Sequence, residues 1–282
     1  MEPEHEDPQE EPTQEEQATP NEQSIPLDYS PEGTTTALIA IVGPRGGGKT
    51  RLMSALTPLL APPERTVIIS PVQTLGKLLG LPVVERYGSD KTNEQYFQSF
   101  LTAGKRIVLV MDEFDEFCPA SVSSRNGGYC CDALYRIVNY GRNEQWGIGM
   151  LVSFRGSSDV TTNLLRAANV LFVARTQEPN ALDYFSRFFG REYGLALHNL
   201  PDYVFVVWAE GRLFGYVKVE GGEIVWQKPP KGWPMPSAAG RVSGDVSSAD
   251  TPSSSTETSE MPTESADTGT TSATNASGSP ST

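Results

Sequence analysis

The chain has 282 residues, with 35 Asp and Glu against 22 Lys and Arg, and a formal net charge of −13. Its three cysteines form no C-x-x-C pair, which argues against a disulfide-rich fold and a structural zinc motif. No apolar run approaches the length of a membrane span, so we predict no transmembrane segment.

The acidic residues are concentrated at the two ends of the chain. Residues 1–32 contain eleven Asp or Glu and no Lys or Arg, and residues 233–282 are rich in Ser, Thr and Pro. Neither composition buries enough apolar surface to offset chain entropy, so we predict two disordered tails. The tails carry −11 and −5 of the net charge, which leaves +3 for the predicted folded domain at 33–232. A mildly basic domain is compatible with a polyanionic partner.

An apolar run at 37–42 leads into Gly-Pro-Arg-Gly-Gly-Gly-Lys-Thr at 43–50, which fits the P-loop pattern G-x-x-x-x-G-K-[ST]. Glycines let backbone N–H groups converge on one anion, and the following helix N-terminus adds positive charge. We expect Lys49 to reach the β- and γ-phosphates and Thr50 to hold Mg²⁺. The predicted nucleotide-binding residues are Gly43, Pro44, Arg45, Gly46, Gly47, Gly48, Lys49, Thr50 and Arg51.

Beyond the P-loop, helical and strand patterns alternate. The predicted helices are 50–57, ending near Pro58, then 72–79, 93–103, 129–140 and 180–189. The predicted strands are 65–70, 106–111, 147–153 and 169–174. This alternation favours βαβ units and a largely parallel sheet. Residues 203–227 differ, because their pattern predicts an antiparallel β-hairpin with room for a third strand, appended to the α/β core.

The apolar strand at 107–111 ends in Asp112-Glu113, the Walker B pattern. Asp112 is then placed to hold Mg²⁺, and Glu113 to act as general base on a water that attacks the γ-phosphate. An acidic loop that merely caps the strand is the alternative, and Asp115 and Glu116 are further candidates. A catalytic Glu beside the Walker B Asp indicates hydrolysis, and the lack of an Asn-Lys-x-Asp stretch favours ATP over GTP.

Two arginines are candidates for stabilising the transferring phosphoryl group. Arg142 precedes the strand at 147–153, and Arg155 follows it. A guanidinium from a neighbouring subunit can neutralise charge on the γ-phosphate oxygens. For each arginine alone, a surface salt bridge is an equal alternative.

The order of these motifs resembles the FtsK–HerA class of DNA-translocating ATPases over roughly residues 38–219. The resemblance rests on the P-loop, Asp112-Glu113, Gly-Arg-Asn at 141–143 and Ser-Phe-Arg-Gly-Ser-Ser-Asp-Val at 153–160. It implies an α/β, RecA-like P-loop NTPase fold of the additional-strand, catalytic-glutamate type, with a mainly parallel sheet flanked by helices and a C-terminal antiparallel β-hairpin. The small size is similar to the genome-packaging ATPases of tailless icosahedral, membrane-containing viruses.

The resemblance implies a homo-oligomeric ring, often a hexamer, that moves double-stranded DNA by ATP hydrolysis. A capsid or vertex protein is then an expected partner, and the host cytoplasm or the virion the expected location. The Gly/Ser/Arg loop at 121–128 is a candidate DNA contact or a solvated linker. Two other functions stay open: a conjugation or phage-extrusion motor, and a nucleotide-switched capsid or membrane docking protein that needs no hydrolytic base.

One position departs from this family pattern. Where the class usually has a Gln that senses the γ-phosphate, just before Arg155, this chain has Phe154. A phenyl ring cannot hydrogen-bond a phosphate. Either Ser153 replaces the Gln, or Asn139 or Asn143 senses the phosphate, or the correspondence is shifted.

Overall fold

The computed structural model describes residues 25, 27, 33–120, 128–143, 145–160 and 162–233. Strands and helices alternate along most of this part of the chain, and three consecutive strands end it. The strands are β1 (Leu38–Val42), β2 (Thr66–Ile69), β3 (Val83–Val84), β4 (Ile107–Met111), β5 (Ile148–Phe154), β6 (Val170–Ala174), β7 (Val204–Ala209), β8 (Arg212–Glu220) and β9 (Glu223–Gln227). The helices are α1 (Lys49–Leu60), α2 (Thr74–Leu79), α3 (Asn93–Ala103), α4 (Asp132–Tyr140), α5 (Thr162–Ala167), α6 (Pro179–Phe189) and α7 (Arg191–Ala196).

Within the described residues, the strands form one sheet in the order β3-β2-β4-β5-β1-β6-β7-β8-β9. The pairs from β3 to β6 are parallel, and those from β6 to β9 are antiparallel. Strand β5 lies between β1, which leads into the P-loop, and β4, which leads into Asp112. This is the additional-strand arrangement, and it confirms the predicted fold class. Strands β7 to β9 continue the sheet beyond β6, so they extend the core instead of forming a separate appendage.

Strand β1 lies at the centre of the core because successive side chains point to opposite faces of the sheet. Leu38, Ala40 and Val42 pack in the apolar layer that contains residues of α3, α4 and α6. Ile39 and Ile41 pack in the layer that contains α1 and α2. Every residue of β1, β4, β5 and β6 is buried, as expected for parallel strands covered on both faces. The strand ends therefore form a rigid edge on which a site can be built.

Several predicted element boundaries are wrong. Helix α1 runs through Pro58 to Leu60, because Leu56 and Leu60 bury the face of its last turn and a proline removes only one backbone donor. The predicted helix at 129–140 begins at Asp132, since Cys131 is extended with φ −157°. Strand β3 and helix α5 were not predicted, and the two residues of β3 are too few for a periodic pattern.

The folded core reaches past both predicted domain boundaries. Ile25 and Leu27 pack against the apolar layer that contains α1. At the other end, the ring of Trp233 meets Tyr216 edge to face, with centroids 5.5 Å apart. The rest of the predicted tails, and residues 121–127 of the candidate DNA-contact loop, lie outside the described residues. Within the part of the chain that the structure describes, no helix has the length and apolar character needed to cross a membrane.

Candidate active site

The P-loop joins the end of β1 to the start of α1. Gly46 and Gly48 have φ angles of 79° and 88°, a left-handed conformation that glycine adopts without steric cost. Gly48 directly precedes Lys49, the first residue of α1. The first N–H groups of a helix have no intrahelical partner and lie at the positive end of its dipole. The loop therefore presents a site suited to a phosphate group.

The ammonium of Lys49 folds back onto this loop. Its Nζ donates hydrogen bonds to the carbonyl oxygens of Gly43, at 2.8 Å, and Pro44, at 3.1 Å. Burial lowers the pKa of Lys49, and the negative charge of Asp112 opposes this effect. A partly buried cation at the mouth of the loop gains more from a charged phosphate than from neutral carbonyls.

Asp112 follows β4 and is buried beside the P-loop, with 4% of its surface exposed. Its Oδ2 accepts a hydrogen bond from Thr50 Oγ1 at 3.2 Å. Its Oδ1 accepts hydrogen bonds from the Ser153 hydroxyl and from the backbone N–H of Glu113, the latter at 3.1 Å. Donors from α1, β5 and the turn after β4 thus satisfy and orient this buried carboxylate.

The oxygens of Thr50 and Asp112 are of the type that Mg²⁺ prefers. In nucleotide sites this ion is usually held by one or two carboxylates together with substrate phosphates and water. The described residues contain no group of three or more His, Cys, Asp or Glu that could hold a metal on its own. One hydroxyl and one carboxylate therefore fit a Mg²⁺ ion that arrives with a triphosphate, and their role as its ligands stays a prediction.

Glu113 has a left-handed backbone, with φ 55° and ψ 49°. This conformation is uncommon outside glycine, and such residues cluster at functional sites. Arg155 Nη2 lies 3.9 Å from Glu113 Oε2, and its Nε lies 3.4 Å from Asp115 Oδ2. Burial raises the pKa of Asp115, and its own backbone hydrogen bond and the charge of Arg155 oppose that effect. Arg155 therefore holds two acidic side chains at the same edge of the sheet.

These groups line one cavity of about 310 Å³. The cavity is bounded by the P-loop, the turn after β4 and the end of β5. The predicted site residues that line it are Arg45, Gly46, Gly48, Lys49, Thr50, Arg51, Asp112, Glu113 and Arg155. Gly43, Pro44 and Gly47 belong to the same loop without lining the cavity. Asp115 lines it as well, whereas Glu116 is exposed and does not.

Arg142 lies at the opposite end of the strands, where β1, β5 and β6 begin. It follows α4 and precedes β5, and it lines a separate cavity with Leu38, Ile148 and Asn169, which are at or next to the starts of strands. A strand rises about 3.3 Å per residue. The seven residues of β5 therefore separate Arg142 from the nucleotide edge by about 20 Å. Arg142 does not reach the cavity of its own subunit.

The alternative sensors occupy different places. Phe154 lines the nucleotide cavity but is fully buried in the core. Ser153 lies at the site, where its hydroxyl bonds Asp112. Asn139 lines the cavity of Arg142, and its Nδ2 donates to the Tyr135 carbonyl. Asn143 belongs to the turn between α4 and β5. Of the alternatives, Ser153 is the one beside the predicted catalytic residues.

Sequence reasoning missed Tyr203, which lines the nucleotide cavity next to Gly48. Tyr203 precedes β7 by one residue and is distant in sequence from the P-loop. Only the pairing of β7 with β6 brings the two together, and no sequence signal of the kinds used above indicates it.

Residues 39–192 match the model of the ATPase family associated with various cellular activities (AAA). The chain belongs to the AAA family. The match includes the P-loop, Asp112-Glu113 and Arg155, and covers more than half of the chain. It confirms the predictions of an ATP-binding P-loop fold and of an enzyme that hydrolyses ATP, and it is consistent with the FtsK–HerA resemblance. Strands β7 to β9 of this AAA ATPase lie outside the matched residues.

Solved structures similar to this AAA ATPase include three of viral and bacterial origin. The genome packaging NTPase B204 of Sulfolobus turreted icosahedral virus 2, in complex with sulfate, is 19% identical over 69% of this chain and 97% of that chain, with a TM-score of 0.49. EssC (ATPases 2 and 3) of Geobacillus thermodenitrificans is 14% identical over 62% of this chain and 38% of that chain, with a TM-score of 0.46. The N-terminal domain of zonular occludens toxin from Neisseria meningitidis is 14% identical over 51% of this chain and 79% of that chain, with a TM-score of 0.37. These similarities are too distant to assign a function. Comparison with curated protein sequences gives no significant match.

Proposed function

We propose that this AAA ATPase uses ATP hydrolysis to translocate double-stranded DNA, most specifically to package a viral genome into a preformed capsid. The observation that carries the proposal is Arg155, which follows the additional strand β5 and lies 3.9 Å from Glu113. The sequence resemblance to DNA-translocating ATPases rests on the P-loop, Asp112-Glu113, Gly-Arg-Asn at 141–143 and the segment 153–160, which contains Arg155. Of these, the P-loop, Asp112-Glu113 and Arg155 meet at one cavity, whereas Gly-Arg-Asn lies at the opposite ends of the strands.

The residues of the cavity divide the hydrolytic step between them. Lys49 binds the β- and γ-phosphates, and Thr50 and Asp112 would hold Mg²⁺, which would supply positive charge to the phosphate oxygens. Glu113 takes a proton from a water molecule as its oxygen bonds to the γ-phosphorus. The bond from that phosphorus to the β–γ bridging oxygen breaks at the same time, and ADP and phosphate leave. Ser153 positions Asp112 through its hydrogen bond.

The two arginines act from different subunits. Arg155 serves its own site, because it lies beside Glu113 and Asp115. Arg142 serves the site of a neighbour, because about 20 Å of sheet separate it from its own. A ring of identical subunits supplies such a neighbour to every site. This arrangement makes hydrolysis depend on assembly.

Double-stranded DNA is the proposed substrate of the assembled ring. Gripping of DNA without regard to sequence relies on phosphate contacts from Lys, Arg and backbone N–H groups. The +3 charge of residues 33–232 agrees with a polyanionic partner, and the acidic tails are available for a capsid or vertex protein. The protein would then act in the host cytoplasm or in association with the virion.

Two measurements test this function: an ATPase assay with and without double-stranded DNA, and the molecular mass of the protein in solution. We expect DNA to raise the rate several-fold and the mass to correspond to several copies of the chain. The Glu113→Gln variant is the matched control, since it should abolish the rate in both conditions. A stable monomer whose ATPase rate ignores DNA would instead indicate the nucleotide-switched docking protein.

A further inference from the structure

A second cavity, of about 250 Å³, adjoins the nucleotide cavity. The two share Gly48, Arg51 and Tyr203, and Phe205, Lys218 and Glu220 are among the other residues that line the second one. Sites for whole drug-sized ligands usually measure about 300–1,000 Å³. The second cavity is therefore small for a whole ligand, and it shares part of its lining with the first.

The topology of the sheet explains why these residues meet the P-loop. Strand β7 is antiparallel to β6, so its start, not its end, lies at the edge where the parallel strands finish. Strand β8 reverses direction again, so its end, with Lys218 and Glu220, returns to that same edge. An aromatic residue before β7 and a polar pair at the end of β8 are thus brought beside Gly48.

Tyr203 is held there in a strained conformation. Its φ is 65°, which is costly for a bulky side chain. The turn that imposes it is closed by a hydrogen bond from Val204 N–H to the Pro201 carbonyl at 3.3 Å, and Asp202 pairs with Arg175 at 2.8 Å. Tyr203 is nevertheless 50% exposed, so burial of its side chain offsets only part of the strain. Strain that packing does not fully offset points to a role in binding.

The position of the ring is tied to the phosphate loop. A Cβ placed on Gly48 would lie 3.0 Å from Tyr203 Cδ1, so the ring rests directly against the residue that precedes α1. Lys218 and Glu220 pair with each other at 3.1 Å, so neither offers an uncompensated charge to the cavity. Beside this ion pair the cavity presents the aromatic side chain of Tyr203, with Arg51 in the lining that it shares with the nucleotide cavity.

We propose that Tyr203 is the stacking platform for the base of the bound nucleotide, and that the second cavity is the base subsite. This rests on the proposed nucleotide site at Lys49. Base stacking on an aromatic side chain tolerates different bases, because every base has a π-face. The subsite thus supplies affinity for a nucleoside triphosphate over the bare phosphate chain, while the P-loop holds the phosphates.

The test compares two ligands on the full-length chain, Mg·ATP and inorganic tripolyphosphate, by calorimetry. Tyr203→Gly should weaken ATP binding roughly tenfold or more and leave tripolyphosphate affinity unchanged. Its melting temperature should not fall, because glycine accepts a φ of 65° without strain. Tyr203→Phe keeps the ring and should bind ATP normally. Tyr87→Ala removes an exposed tyrosine outside the site and serves as the matched control.

Two results would overturn the assignment of Tyr203. One is unchanged ATP affinity in Tyr203→Gly, and the other is an equal loss for both ligands, which would mean that the change only distorts the P-loop. Lys49→Ala separates this question from the nucleotide site itself. If that variant keeps both affinities, the phosphate site is wrong, whatever Tyr203 does.

Discussion

The Ser153 hydroxyl donates a hydrogen bond to Asp112 across the β4–β5 pair. In the register of these strands, Met111 is opposite Val152, so Asp112 and Ser153 are the next residues along. The additional strand of the fold therefore does more than widen the sheet. It supplies the side chain that bonds Oδ1 of the predicted Mg²⁺ ligand, whereas Thr50 bonds Oδ2.

Removal of this hydroxyl tests the positioning role. Ser153→Ala leaves a buried carboxylate with one donor fewer, so we expect the free energy of unfolding to fall by about 1–3 kcal/mol. The Mg²⁺ concentration for half-maximal ATP hydrolysis should also rise, because Asp112 is no longer fixed. Urea unfolding and a Mg²⁺ titration of the ATPase rate measure the two effects. Ser99→Ala, on the exposed side of α3, should change neither.

The assignment of the general base is tested at Glu113. Glu113→Gln keeps the size of the side chain but cannot accept the proton of water, so turnover should fall by about 10²–10⁴-fold with ATP affinity unchanged. Single-turnover hydrolysis and equilibrium binding separate the two quantities. Glu116→Gln alters the exposed carboxylate in the same turn and should retain activity. If Glu116→Gln lowered turnover and Glu113→Gln did not, the general base would be Glu116.

Mixing experiments distinguish a residue that acts in its own subunit from one that acts in a neighbour. Arg142→Ala should lower turnover by about 10³-fold or more, and Lys49→Ala should abolish it. If Arg142 acts on a neighbour, a mixture of the two variants recovers activity, because the Lys49→Ala subunits donate an intact arginine. Arg155→Ala mixed with Lys49→Ala should stay inactive. If Arg142→Ala and Lys49→Ala subunits form mixed rings that recover no ATPase activity, Arg142 does not act on a neighbour.

Truncation tests where the folded domain begins. Deletion of residues 1–24 should leave the unfolding free energy and the ATPase rate unchanged. Deletion of 1–32 also removes Ile25 and Leu27 from the core, so it should cost about 1–3 kcal/mol in urea unfolding. Equal stability of the two truncated proteins would show that these two contacts contribute nothing.

The parts of the site that sequence could predict are those encoded in short contiguous patterns. The P-loop and the Asp112-Glu113 pair each follow a buried strand directly, so a local motif also predicts which edge of the sheet they share. Helix α3 was predicted at its observed bounds because its apolar spacing is regular. The residues that match the AAA family include both motifs.

Contacts between segments that are distant in sequence could not be predicted from such local patterns. Ser153 is 41 residues from Asp112, and their contact depends on the order of strands in the sheet. Arg142 and Arg155 look equivalent in the sequence, yet β5 carries the chain from one edge of the sheet to the other between them. The prediction that α1 ends near Pro58 was wrong, because burial of the apolar face of the helix outweighs the loss of one helical hydrogen bond.

The reversal of chain direction at β7 also determines where the β7–β8 turn lies. Glu210 and Gly211, with φ of 53° and 72°, form this turn at the edge opposite the P-loop, where they share a cavity with Arg142. A fluorescent reporter inserted in this turn would be about one strand length from the nucleotide. If Arg142 acts on a neighbouring subunit, the reporter signal should change when that subunit approaches, and ATP binding at Lys49 should be undisturbed.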